Sequence, residues 1–373
     1  MNSPILFLAP ELPTASEVAE DYAEILRRGV FTNSGPIEAA FATAVADFVG
    51  DVYASAVSSA TSGIELTLRA RALPARTQVL VPSFTFAASP LCVLRVGRRP
   101  VFLDIEASSW QPSITDAKRY ISRHERDLSC ILLGTTFGVA NDLIEEWERL
   151  AEDYGLPLLI DSAAGFGSTE PSGKRLGYHG DCEIFSLHAT KTFAIGEGGV
   201  VISRSGALID QINELKNFGF GPDRASRSLG MNAKLPELSC AMGLRQLASL
   251  EERILARQHL LKAYVAALEP IGFTFQPNAE HSSIAFVSAL APDKATRDAI
   301  ISSFSDDNIQ ARTYYNPPVH SQPVFANSDS VGELPVTRFF ADRILSLPTR
   351  TNMAATDFSR IITAIERAMG VKI

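Results

Sequence analysis

The 373-residue chain contains no hydrophobic run reaching the roughly 18 apolar residues of a membrane-spanning helix, so no membrane partner is expected. It has no basic block: 34 Lys and Arg stand against 42 Asp and Glu, for a net charge of −8. That balance excludes a nucleic-acid scaffold and requires any anionic ligand to be held by local donors. Cysteine is sparse. Cys92, Cys130, Cys182 and Cys240 lie far apart and form no CxxC pair. No metal site and no disulfide framework is expected, and buried thiols of a reducing cytoplasm fit better. The opening "MNSPILFLAPELP" has no basic lead, and Pro4 and Pro10 bracket its short apolar run. The expectation is a chain with no cleaved leader and a cytoplasmic location. Internal repeats and low-complexity tracts are absent.

A composition of 46% hydrophobic residues supplies a large core. Helical spacing is read over 14–30 and 37–49. After that, short apolar runs alternate with helical stretches: "YASAV", "TQVLV", "RPVFLDI", "SCILLGT", "LPLLID", "CEIFSLH" and "GGVVIS". This alternation predicts an α/β layer structure with a mainly parallel central sheet. From about 237 the pattern changes to one long helix running to "VAAL", followed by short strands and a helix near 292–306. The expected division is a large α/β domain over 1–245 and a smaller C-terminal α+β domain over 246–373.

In parallel sheets ligands sit at the carboxyl ends of strands. Five such ends carry polar or aromatic residues: 59–62, 83–86, 135–138, 161–164 and 186–191. Asp161 closes "LPLLID". A carboxylate there is costly to bury without a partner, so it reads either as a helix cap or as a counter-charge for a cationic ligand. Lys191 lies in "SLHATKTFAIGEGGVV" between two strands, either a solvated loop charge or a reactive amine. "SATSG" (59–63) opens a helix whose N–H groups, with Thr61 and Ser62, can hold an anion or simply cap themselves. Ser186 adds a further donor. In "PSFTF", Phe86 could lie on a ring, while Phe84 reads as core. Lysine, buried carboxylate and anion cradle together point to pyridoxal 5'-phosphate, bound through a Schiff base with the acid holding the ring nitrogen protonated.

These residues carry a family resemblance. "SGPIEAAFATAVADFVG", "SATSGIELTL", "VPSFTFAAS", "FSLHATKTFAIGEGGVV", "LKNFGF", "GMNAKLPELSCAMGLRQL" and "YYNPPVHSQPVF" resemble the DegT/DnrJ/EryC1/StrS family of pyridoxal-phosphate-dependent sugar aminotransferases. The resemblance implies the type I aminotransferase fold and a homodimer with shared active sites. It makes Lys191 the Schiff-base lysine and Asp161 the partner of the ring nitrogen. Thr61, Ser62 and Ser186 would hold the phosphate, Phe86 would stack on the ring, and Asn217 would reach the cofactor of the other subunit. Asn33, Ser34, Gly35, His188 and His320 become candidates for contact with substrate. The implied reaction moves an amino group from an amino acid, L-glutamate in the usual case, to a nucleotide-linked keto sugar.

The chain departs from the family pattern in three places. Ala164 stands where Gln or His is usual near the cofactor's phenolic oxygen. "TTFG" replaces a turn that usually carries histidine. "NFGF" lacks the usual following Arg. Another pyridoxal-phosphate reaction, lyase or dehydratase, a transaminase of a non-sugar carbonyl, and a cofactor-binding regulator without turnover are the rival readings.

Overall fold

A computed structural model describes residues 3–372. Its strands are β1 (Tyr53–Val57), β2 (Gln78–Pro82), β3 (Arg99–Leu103), β4 (Leu128–Gly134), β5 (Leu158–Asp161), β6 (Cys182–Ser186), β7 (Gly199–Ser203), β8 (Thr274–Phe275), β9 (Val287–Leu290), β10 (Asp329–Ser330) and β11 (Ile344–Leu347). Eight form one sheet in the order β1-β7-β6-β5-β4-β2-β3-β10. Among these, β7 alone runs against its neighbours. The expected mainly parallel α/β architecture is therefore what the chain adopts.

The central strands are apolar because helices cover both of their faces. Every residue of β2, β4, β5 and β6 is buried. One face packs on the helix Ala60–Arg71 through Ile64, Leu66 and Leu68. The other receives the helix Ile144–Asp153, whose Ile144, Trp147, Leu150 and Ala151 recur at helical spacing and turn inward.

The second core is built on the antiparallel sheet β11-β9-β8 with the helices Lys294–Asp306 and Ala355–Met369. Ile5 belongs to this core and its segment pairs with Ile309. In the opposite direction, β10 extends the large sheet beside β3.

The long helix read from 237 is corrected. It breaks at Ser249 (φ −115°, ψ 12°) into Glu237–Ala248 and Leu250–Leu268. The first piece packs Gly243 against Phe41, where an added Cβ would lie 2.5 Å from the ring. The second carries Leu261, Tyr264 and Leu268 into the smaller core. One straight helix cannot bury residues in both places, so the backbone turns between them. Among the described residues no helix is long and apolar enough to cross a membrane.

Candidate active site

The carboxyl ends of β1, β4, β5 and β6 open on one cavity of about 350 Å³. Six expected residues line it: Thr61, Phe86, Asp161, Ser186, His188 and Lys191.

Asp161 is 8% exposed. Burial pushes its carboxyl above the usual carboxylate range, opposed by the Ser89 hydroxyl, the Ala163 N–H and the charge of Lys191. The Ala163 N–H donates to Oδ1 at 3.1 Å and the Ser89 hydroxyl to Oδ2. No helix follows between β5 and β6, so the carboxylate does not serve as the helix cap its sequence position allowed. Lys191 reaches the same cavity, and its amine has no hydrogen-bond partner among the described residues. Loss of hydration lowers its pKa below the ordinary lysine value, with Asp161 opposing.

The lysine is presented by a tight loop. Its N–H bonds to the His188 carbonyl at 2.8 Å, and Ala189 bonds to Gly196 at 2.8 Å. Gly196 turns the chain back at φ 95°. Gly199 lets β7 press against the start of the helix Ala60–Arg71, where a Cβ would stand 2.6 Å from the Ala60 nitrogen. That helix start carries N–H groups of the kind that can hold an anion. Ser59 and Ser62 cap it reciprocally: Ser62 N–H donates to Ser59 Oγ at 3.1 Å, and Ser59 N–H to Ser62 Oγ at 3.0 Å. The Ser62 hydroxyl is thus engaged in the cap, and Ser62 does not line the cavity; Ser59, Ala60 and Thr61 do.

Phe86 is 59% exposed and faces the opening, whereas Phe84 is buried edge-on against Phe137 and Tyr315. His188 bonds Thr190 at 2.9 Å and stands 3.5 Å from Glu197.

The remaining expected residues lie outside this chain's own cavity. Asn217 accepts from Lys234 Nζ at 3.0 Å. His320 meets Ser83 Oγ at 2.5 Å, half-buried, and burial lowers its pKa. Asn33 and Ser34 hold φ of 66° and 57°, and the Ser34 N–H donates to Glu38 at 3.0 Å. Gly35 sits where a Cβ would meet the Glu237 carboxyl carbon at 2.7 Å.

The strand end at 135–138 places Thr135 in the cavity lining, as its position after β4 leads one to expect. Sequence reasoning missed Ser89, Phe286, Glu197, Tyr314 and Tyr315. The two tyrosines come from the loop between the helix Lys294–Asp306 and β10, and Tyr315 lies against Phe137 with ring centres 5.5 Å apart. Burial raises its phenol pKa, and Asp161 adds to the shift. The paired tyrosines were visible in "YYNPPVH"; nothing in their spacing tells that they enter the cavity.

The donor set fits pyridoxal phosphate. A free amine faces the cavity, a buried carboxylate stands in the same cavity, and a helix N-terminus offers its N–H groups to an anion. Lys191 and Asp161 would hold the aldehyde and ring-nitrogen ends, and residues 59–61 the phosphate.

Comparison with known proteins agrees. The profile of the DegT/DnrJ/EryC1/StrS aminotransferase family matches residues 14–366. Protein Rv3402c of Mycobacterium tuberculosis is 40% identical over 371 residues, covering 98% of this chain and 90% of that protein. GDP-perosamine synthase of Vibrio cholerae is 28% identical, covering 87% and 89%. The crystal structure of DesI in the presence of its TDP-sugar product is 27% identical, with a TM-score of 0.89, covering 99% of this chain and 94% of that one. The chain belongs to the DegT/DnrJ/EryC1/StrS family and is a pyridoxal-phosphate-dependent aminotransferase.

Proposed function

We propose that this aminotransferase carries an amino group from an amino-acid donor, L-glutamate, to the carbonyl carbon of a nucleotide-linked keto sugar, with Lys191 binding the cofactor's aldehyde as a Schiff base. The observation that carries the reading is one cavity holding an unpartnered lysine amine and a buried carboxylate beside a helix N-terminus. The acceptor class is supported by the relatives: one is named for a GDP-linked sugar, and another was crystallised with its TDP-sugar product.

Pyridoxal phosphate, when bound, supplies an electrophilic aldehyde and a ring that accepts an electron pair from the reacting carbon. The residues of the chain position it and move the proton. Asp161 would hold a proton on the ring nitrogen of the bound cofactor, because a buried carboxylate gains most when it meets a cation. Lys191, when its amine is free, takes the proton from the substrate carbon and returns it. Its lowered pKa enlarges the fraction of free base near neutral pH. The N–H groups of residues 60 and 61 and the Thr61 hydroxyl would hold the phosphate, and Phe86 would pack against the ring. Two chains form a dimer in which Asn217 and the loop Asn33–Gly35 serve the partner's cavity. Their place outside their own chain's cavity supports this arrangement.

A half-reaction tests the proposal. The holoenzyme mixed with L-glutamate is expected to release one 2-oxoglutarate per site and lose its visible absorbance, and a nucleotide-linked keto sugar should restore it. Lys191→Ala should bind cofactor without the lysine-bound band and turn over at least about a thousandfold more slowly. Failure of every amino-acid donor to yield its keto acid overturns the transaminase reading.

A further inference from the structure

Thr135, just past the end of β4, stands on a wall shared by two cavities. One is the active-site cavity. The other is small, about 10 Å³, and is lined among others by Thr135, Asn141, Ile160, Glu170, His179 and Glu183. Asn141 takes no part in lining the active site. Thr135 Oγ1 and Asn141 Nδ2 have no hydrogen-bond partner among the described residues, although Thr135 is 8% and Asn141 4% exposed. Folded proteins leave few such atoms unpaired, and here two border the same small space.

Acceptors stand around it. Glu183 receives the Gly177 N–H at 2.8 Å, the His179 N–H at 3.1 Å and the Ser162 hydroxyl at 2.8 Å. Glu170 Oε1 meets His179 Nε2 at 2.7 Å. A carboxylate offers about four lone-pair sites, so both retain capacity. The volume corresponds to about one water molecule, which needs two to four polar partners.

We propose that this cavity binds one water molecule, and that the water makes Thr135 a positioning residue of the active site. The water accepts from Asn141 Nδ2, shares a hydrogen bond with Thr135 Oγ1 and donates to a carboxylate oxygen of Glu183 or Glu170. Thr135 is tied to the catalytic strand as well. Gly134 pairs in register with Asp161, and the Thr135 N–H donates to the Asp161 carbonyl at 3.1 Å. Holding the Thr135 side chain therefore steadies the end of β5, where Asp161 meets the cofactor. The inference rests on cofactor binding in the larger cavity.

The test compares wild type with Thr135→Val, Asn141→Leu, the double variant and Thr135→Ser. A crystal structure of the holoenzyme is expected to place an ordered water within hydrogen-bond distance of Thr135 Oγ1 and Asn141 Nδ2. In titrations of the apo-protein followed by absorbance, Thr135→Val and Asn141→Leu should each weaken pyridoxal phosphate binding about fivefold, the worth of one hydrogen bond. The double variant should be no weaker than either single one, because each loss releases the same water. Thr135→Ser should keep wild-type affinity, and Thr135→Val should lower Tm. The proposal is overturned by a dry cavity in that crystal structure, or by a rise in Tm for Thr135→Val, as an apolar isostere gives in a dry site. Unchanged cofactor affinity in Asn141→Leu overturns the positioning role. A wild type that binds no pyridoxal phosphate refutes the reading of the larger cavity instead, while the crystal structure and Tm still decide the water.

Discussion

The hydroxyl of Ser89 donates to the carboxylate of Asp161 across 72 residues of sequence. Ser89 sits in the first turn of the helix Ala88–Arg95, and Asp161 ends β5. The helix that follows β2 thus supplies a partner that a buried acid at the centre of the sheet needs. Ser89→Ala removes a donor that lowers the Asp161 pKa, so the carboxylate will protonate more readily. The expected result is a loss of about tenfold in kcat/KM, with the acidic limb of the pH–rate profile moved to higher pH. Asp161→Asn should lose about a hundredfold or more and keep its fold. Wild-type activity in the Asp161→Asn variant would reduce the carboxylate to a structural role.

Gly138 closes the "TTFG" turn at φ 82°, and an added Cβ would stand 2.5 Å from the Ala164 carbonyl oxygen. Neither backbone can yield cheaply, because Ala164 lines the active site. Gly138→Ala should destabilise by roughly 2–4 kcal/mol, read as a shifted urea midpoint, and weaken cofactor binding. Gly155→Ala is the control. It has φ 58° and nothing within 4 Å, so it should cost only about 1–2 kcal/mol.

His179 lies between Glu148, at 3.1 Å from Nδ1, and Glu170, at 2.7 Å from Nε2. Burial lowers its pKa, but the two carboxylates outweigh burial and hold it above the ordinary histidine value. A raised folded pKa stabilises the fold fully below the unfolded value, about 6.5, and the contribution fades as pH rises through the folded value. Urea midpoints should therefore fall in that interval on the alkaline side of pH ~6.5. His179→Gln should flatten that part of the profile. A wild-type midpoint that rises there, with His179→Gln unchanged, would show the histidine to be neutral when folded.

Lys191 lines its own chain's cavity and Asn217 does not. If Asn217 serves the partner's site, a Lys191→Ala chain and an inactive but folded Asn217→Asp chain should complement one another after dissociation and mixing. About half the dimers would be mixed, with one of their two sites intact, so activity should return to roughly a quarter of wild type. Mixed dimers that stay inactive would place Asn217 in the service of its own chain.

The ends of the parallel strands were legible from local pattern. Apolar runs such as "LPLLID" broken by small polar residues can only be buried strands leading into loops, and the rule that ligands gather at carboxyl ends selects Asp161 and Lys191 without coordinates. The turn that presents Lys191 is equally local, because it is closed by backbone hydrogen bonds within 187–198 and by Gly196. The break at Ser249 was not legible. Helical periodicity runs through it, and only the need to bury one piece against Phe41 and the next in the smaller core bends the chain.

Hydroxyl roles were decided by competition in three dimensions. Ser62 and Thr61 look alike in "SATSG", yet Ser62 is committed to the cap with Ser59 and Thr61 is left facing the cavity. Ser89 and Tyr315 carry no signal of their own, and Thr135 stood out only as the residue at a strand's carboxyl end. Their roles depend on which strand lies beside β5 and on the loop before β10 folding back to meet Phe137. Sequence by itself determined which residues could bear the chemistry, because chemical type and strand position are local properties. Only the tertiary structure decided which of them meet, because long-range packing sets those distances, as for Ser89 on Asp161 and Asn141 beside Thr135.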